Sequence, residues 1–273
     1  MQKSNACHSS WRELLREPAH ASHIVQIYDS DAFLASGVAF FAAEGLRTGE
    51  AVLLTGTQPH LASVRRALAC SGVDVDGATR NGQLFVSDAD EEVARLLEDG
   101  VYDLSVMTIT RDSLAKARAG KRFSGVRWWG EISNVLHRQG NSKAALLAED
   151  LGATVAREHD VTVFCSFLYD KFDAEGYDGI LRDMCGKHSH AIPAEDYVRH
   201  RLAVNRAVHE VIGEIKGTLL QSLLSWKGLP CDLPSSQALL FWIRDAMPER
   251  LDEILSRAKS YQTPEPLLQG SLQ

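Results

Sequence analysis

No Gly-x-x-x-x-Gly-Lys-Ser/Thr segment occurs in this chain, and no Gly-x-Gly-x-x-Gly follows an apolar run, so a phosphate cradle of the usual kind is absent. His-Glu-x-x-His and Gly-x-Ser-x-Gly are missing as well, which removes the zincin and hydrolase-elbow readings. Basic charge is scarce: 29 Lys and Arg against 36 Asp and Glu give a formal charge of −7. That balance argues against a nucleic-acid surface, which needs a concentrated basic face. The five cysteines are odd in number and thinly spaced, so no disulfide framework is implied. No apolar run approaches membrane-spanning length, and the start MQKSNACHSSWRELL carries no basic-then-apolar leader. The expectation is a cytoplasmic protein with reduced thiols, no membrane contact and no nucleic-acid partner.

What is present is an α/β rhythm. Residues 1–22 read as a lead-in with one short helix around Trp11–Arg16. HIVQIY over 23–28, AVLLTG over 51–56, GQLFVS over 82–87, a strand over 125–129 and VTVFCSFLY over 161–169 read as buried strands. The segments between them read as helices, including one over 105–119, with Asn141 capping another. Strand and helix in alternation predict a mainly parallel sheet covered on both faces. From Pro193 the pattern turns helical. Val208, Val211, Ile212, Ile215, Leu219 and Leu223 form one stripe on a long helix, and a second helical stretch runs to Tyr261 with Pro248 as a kink or restart. The expected organisation is therefore a lead-in (1–22), an α/β domain (23–197), a helical segment (198–261) and a disordered tail (262–273).

Ligands of open parallel sheets bind beyond the carboxyl ends of the strands. Asp29 and Asp31, after the first strand, are read equally as helix caps and as pocket residues. Glu131, straight after VRWWG, is read as a pocket residue or as an ion-pair partner of Arg127. The expected pocket lies at that end of the sheet, with His23, Tyr28, Asp29, Arg127, Glu131, Cys165, Tyr169 and His188 as ligand-binding residues. Cys185, His188 and His190 form the nearest metal-like cluster, but one half-site does not make a metal centre, so no metal and no cofactor are expected. His188 and His190 are also read as leading into a final strand.

The chain resembles the MEDS family, the sensory domain of methanogen and methylotroph regulators. The matching pieces are His23-Ile-Val-Gln-Ile-Tyr28-Asp-Ser-Asp, Gly45-Leu-Arg-Thr-Gly49-Glu50, Val126-Arg127-Trp-Trp-Gly130-Glu131, Gly140-Asn141-x-x-Ala-Ala-x-x-x-Glu149, Phe164-Cys165-x-Phe-x-Tyr169 and Cys185-x-x-His188-Ser, spread over residues 11–197. Phe167 and Leu168 depart from the family's usual small residue and tyrosine. The resemblance implies a RecA- or KaiC-like core used for sensing a small molecule and not for ATP hydrolysis. A second resemblance, of Glu214-Ile-Lys-Gly-Thr-Leu-Leu-Gln221 to the phosphoacceptor helix of histidine kinases, places Lys216 and Gly217 where the acceptor histidine and its aspartate would stand. It implies a degenerate hairpin on which no phosphotransfer can occur, with Lys216 and Gly217 on its outer face. The expected protein is a non-enzymatic sensor: a homodimer through the C-terminal helices, or a helical lid in their place, with a protein partner in a signalling pathway. The alternative is a metal- or nucleotide-dependent enzyme of the RecA-like class using Glu131 and nearby carboxylates.

Overall fold

The computed structural model describes residues 10–98, 101–102, 123–223 and 232–262. The helix expected over 105–119 lies outside them, as does the tail expected over 262–273 except for Gln262, which ends a helix. Six parallel strands form the central sheet: β1 (His23–Tyr28), β2 (Ala51–Gly56), β3 (Leu84–Asp88), β6 (Val126–Gly130), β7 (Thr162–Leu168) and β8 (His190–Ile192). Their order is β3-β2-β6-β7-β1-β8, and a two-residue ribbon, β4 (Leu97–Glu98) with β5 (Val101–Tyr102), stands apart. Within this register His23 sits beside Val163 at the entry of β1, while Tyr28 and Leu168 mark the exit.

Period-two alternation divides the strand residues between two cores. On one face Ile24, Val52, Leu54, Trp129 and Phe164 pack under α1 (Trp11–Arg16), α2 (Asp31–Arg47), α3 (Gln58–Cys70) and α4 (Val75–Arg80). On the other, Val25, Leu53, Trp128, Val163 and Phe167 pack under α5 (Ala89–Leu96), α6 (Ile132–Arg138), α7 (Ser142–His159) and α8 (Ile180–Lys187). Burial on both faces explains why the strands read as continuous apolar runs. Helix α1 is no loose lead-in, because Trp11, Leu14 and Leu15 are buried in the first core.

The C-terminal segment holds four described helices: α9 (Tyr197–Ile212), α10 (Glu214–Leu223), α11 (Ser235–Ala246) and α12 (Pro248–Gln262). Pro193 does not start the first of them. Asp196 caps α9 by accepting from the Arg199 amide, and Pro248 does begin α12. The long helix expected through Leu223 breaks at Gly213, whose φ of 94° lies where residues with a Cβ are disfavoured. Val208 is fully buried, but Ile215 and Leu219 are 87% and 57% exposed, so the stripe does not stay on one covered face. Lys216 is exposed as expected, whereas Gly217 is buried, and a Cβ there would meet the His209 ring. Helix α11 folds back on the α/β domain, adding Leu239, Leu240, Phe241 and Ile243 to the second core. Gln237 donates to the Tyr177 hydroxyl at 2.9 Å, and Phe241 packs on the Tyr177 ring. No described helix is long and apolar enough to cross a membrane.

Candidate functional site

The crevice expected to hold a ligand lies where β2 leads outward to β3 while its neighbour β6 leads back toward β7. Buried polar side chains that partner one another lie along it. Glu131, the residue after β6, is completely buried; one carboxylate oxygen accepts from the Thr57 amide at the start of α3 (2.5 Å), and the other pairs with His60 Nδ1 (2.6 Å). The Glu131 hydrogen bond raises the His60 pKa against the opposing effect of burial. Tyr28 is buried beside this pair, its hydroxyl 3.1 Å from the Asn134 amide nitrogen, and burial together with the Glu131 charge raises its pKa. Asp31 approaches the other His60 nitrogen at 3.5 Å, Asp29 pairs with Lys171, and Ser30 caps α2 in place of either acid. Tyr169 turns away to Asp173 (2.6 Å). Sequence reasoning missed His60 and Asn134, which lie in helices with no motif around them.

Four expected members of that pocket are elsewhere. Arg127 shares a face with Glu131 but is four residues earlier on an extended path, about 13 Å away at the usual strand rise. It pairs with Glu50 at 2.6 Å and donates to the carbonyls of Leu15, Arg16 and Phe41, so it clamps α1 and α2 to the sheet and is not the partner of Glu131. His23, Cys165 and His188 also leave the carboxyl end. They meet under the second face of the sheet, together with a residue not expected to take part, Glu149 of α7.

This second cluster is built from four elements. His23 opens β1 and Cys165 lies in mid-β7, both turned to the second face; Glu149 descends from α7; His188 caps the end of α8. One ligand-type atom from each lies within 4.8 Å of all the others. His23 Nε2 is 3.3 Å from Cys165 Sγ and 3.1 Å from Glu149 Oε2, and His188 Nε2 is 3.0 Å from the same oxygen. The opposite ring nitrogens are tied to main-chain carbonyls, His23 Nδ1 to Lys187 (3.1 Å) and His188 Nδ1 to Met184 (2.6 Å). Those contacts favour the tautomers that turn both Nε2 lone pairs inward. Ser133 donates to the other Glu149 oxygen. His188 Nε2, although close to Glu149, lies off the line of a hydrogen bond and has no such partner.

All four side chains are at least nine-tenths buried. Burial would raise the Glu149 carboxyl, but the His188 and His23 rings outweigh it and hold the group well below the usual range. Burial, with His188 alongside, lowers the His23 pKa; burial and the Glu149 charge raise the Cys165 thiol. A cavity of about 30 Å³ adjoins the cluster between Trp128, Ser133, Glu149, Gly152 and Cys165, room for a water-sized group. Gly152 permits the approach of His23, since a Cβ there would stand 3.0 Å from its Nε2. A larger groove of about 940 Å³ between α2 and α4 is open, lined largely by small side chains, and holds none of these residues. The other metal-like candidates do not join: His190 lies 3.3 Å from Asp232, and Cys185 is buried outside the group.

One signal for Glu149 was legible. It occupies a buried stripe of α7 with Ala145, Gly152 and Ala156, where an unpaired carboxylate is unfavourable. The family model of the methanogen/methylotroph, DcmR sensory domain (MEDS) matches residues 22–189, which include the whole cluster. No curated protein gives a match.

Proposed function

The chain belongs to the MEDS family, and from that premise we propose that it is a signal-transduction sensor with its input at His23, Glu149, Cys165 and His188. The observation that carries this reading is the short connection between the cluster and the C-terminal helices. His188 is two residues from β8, which pairs with β1 on one side and with Asp232, shortly before α11, on the other. Ser189 ties these parts together: its hydroxyl donates to the His23 carbonyl (2.8 Å), and its carbonyl accepts from the Asp232 amide (2.8 Å). A change in the spacing of His23 and His188 therefore bears directly on the strand that positions α9 and α11. Such a change signals only if the input has different affinities for two arrangements of the helices.

The all-parallel sheet supports the RecA-like reading, and the acids after β1, with Glu131 already engaged by Thr57 and His60, support sensing without ATP turnover. The small cavity beside Cys165 supports a small input. In this reading the protein is cytoplasmic, lacks kinase activity and signals to a protein partner as a dimer, its exposed Ile215 and Leu219 covered by the second copy. Hydrogen exchange on the full chain tests the coupling. Glu149→Gln is expected to change protection in β8, around Asp232 and at the start of α9. Changes confined to α7 and α8 would contradict it.

A further inference from the structure

We propose that His23 Nε2, Cys165 Sγ, Glu149 Oε2 and His188 Nε2 together bind one divalent transition-metal ion of the zinc class. The inference deepens the sensory reading by naming the chemistry of its input, and it rests on geometry that stands without that reading.

Three arrangements bring two imidazoles, a thiol and a carboxylate together: a nucleophilic triad, a plain buried ion pair and a metal site. In a nucleophilic triad the acid holds the imidazole nitrogen remote from the nucleophile. Here Glu149 and Cys165 both approach the same atom, His23 Nε2, and the remote Nδ1 is already taken by the Lys187 carbonyl. A plain ion pair accounts for both rings lying within 3.1 Å of Glu149 Oε2, but it leaves His188 Nε2 without an in-line partner, which a shared ion would supply. Four donor atoms within 4.8 Å of one another, with both imidazoles held from behind by main chain and Glu149 by Ser133, make the arrangement of a metal's inner ligands and their outer supports.

Size and charge agree. Bonds of about 2.0–2.1 Å to nitrogen and oxygen and about 2.3 Å to sulfur place tetrahedral ligands roughly 3.3–3.6 Å apart. Three of the six separations, 3.0, 3.1 and 3.3 Å, lie at or just under that range, and all six are within 4.8 Å, so small adjustments bring the donors to one ion. A thiolate and a carboxylate carry two negative charges between neutral imidazoles, and a divalent ion cancels them in a site closed to solvent. Calcium and magnesium are excluded by the donor set, since both take oxygen ligands in larger number. Mixed nitrogen, sulfur and oxygen donors suit zinc, with cobalt as its spectroscopic substitute.

The test uses the full chain stripped of metal by a chelator and titrated with Zn²⁺ by calorimetry and with Co²⁺ by absorption. One ion per chain is expected, together with a thiolate-to-cobalt charge-transfer band. Cys165→Ser should abolish that band, His188→Gln should weaken Zn²⁺ binding by more than about 100-fold, and Ser133→Ala by about 10-fold, as for an outer support. The wild-type cobalt spectrum decides the matter even if a variant does not fold. Absence of stoichiometric Zn²⁺ binding, or a cobalt adduct without a thiolate band, overturns the proposal. Zn²⁺ bound at these residues with no change of hydrogen exchange in β8 or α9 would uphold the metal and refute the sensory coupling. A retained organic molecule in native mass spectrometry, without Zn²⁺ binding, would do the reverse.

Discussion

The carboxyl-edge network and the buried cluster contain similar groups and differ in how those groups are satisfied. At the edge, Glu131 accepts one donor on each oxygen, from Thr57 and from His60, and Tyr28 finds Asn134. In the cluster two imidazoles converge on a single Glu149 oxygen and a sulfur, leaving a buried nitrogen without a hydrogen bond. A closed set of polar partners stabilises a fold by itself; a convergent and incompletely satisfied set calls for something more at its centre. On this account the crevice that topology assigns to ligands is structural, and the proposed binding geometry lies beneath a face of the sheet.

Removing a carboxylate from the closed set should have the largest effect on stability. Glu131→Ala leaves His60 and the Thr57 amide buried without it and is expected to cost about 3–5 kcal/mol in urea unfolding. Zn²⁺ binding should be unchanged, and its loss in a folded variant would erase the distinction between the two regions. Gly152→Ala acts on the other side of the comparison. The added methyl crowds His23 Nε2, with an expected loss of about 1–3 kcal/mol that outweighs the helix-propensity gain of up to about 1 kcal/mol. Net stabilisation would show that the cluster yields easily and is not a preorganised site.

The pH dependence at the edge is smaller. Because the His60 pKa is raised from 6.5 in the folded chain, its contribution is fully present below the unfolded value and is lost as pH rises through the folded one. Stability measured upward from pH 6 should decline through that window, and His60→Gln should flatten the decline. The smallest folding effect belongs to the exposed helices. Ile215→Lys with Leu219→Lys should convert a dimer to a monomer in light scattering, while unfolding measured at concentrations where the wild type is itself dissociated stays within about 0.5 kcal/mol of wild type. A wild-type monomer would remove the dimer from the proposed function.

The strands were legible because burial on both faces makes them short continuous apolar runs, and five of the six fall within two residues of their expected limits at each end. Breaks inside the helical segment were harder: Gly213 ends α9 within an unbroken apolar stripe whose burial depends on tertiary packing. Of the site, His23, Cys165 and His188 could be singled out, but their meeting place could not. A strand's first residue lies at the amino end of a parallel sheet and its last at the carboxyl end, so His23 and Tyr28 of one strand serve different regions. Arg127 and Glu131 are separated in the same way. Glu149 needed a different test, the presence of a carboxylate on the buried face of a helix.

X-ray absorption at the zinc edge, on the full chain loaded with one equivalent of Zn²⁺, addresses the cluster most directly. The account predicts an inner shell of three nitrogen or oxygen atoms at about 2.0–2.1 Å and one sulfur at about 2.3 Å. A shell of nitrogen and oxygen alone, with no sulfur scatterer, would place the ion away from Cys165 and contradict it.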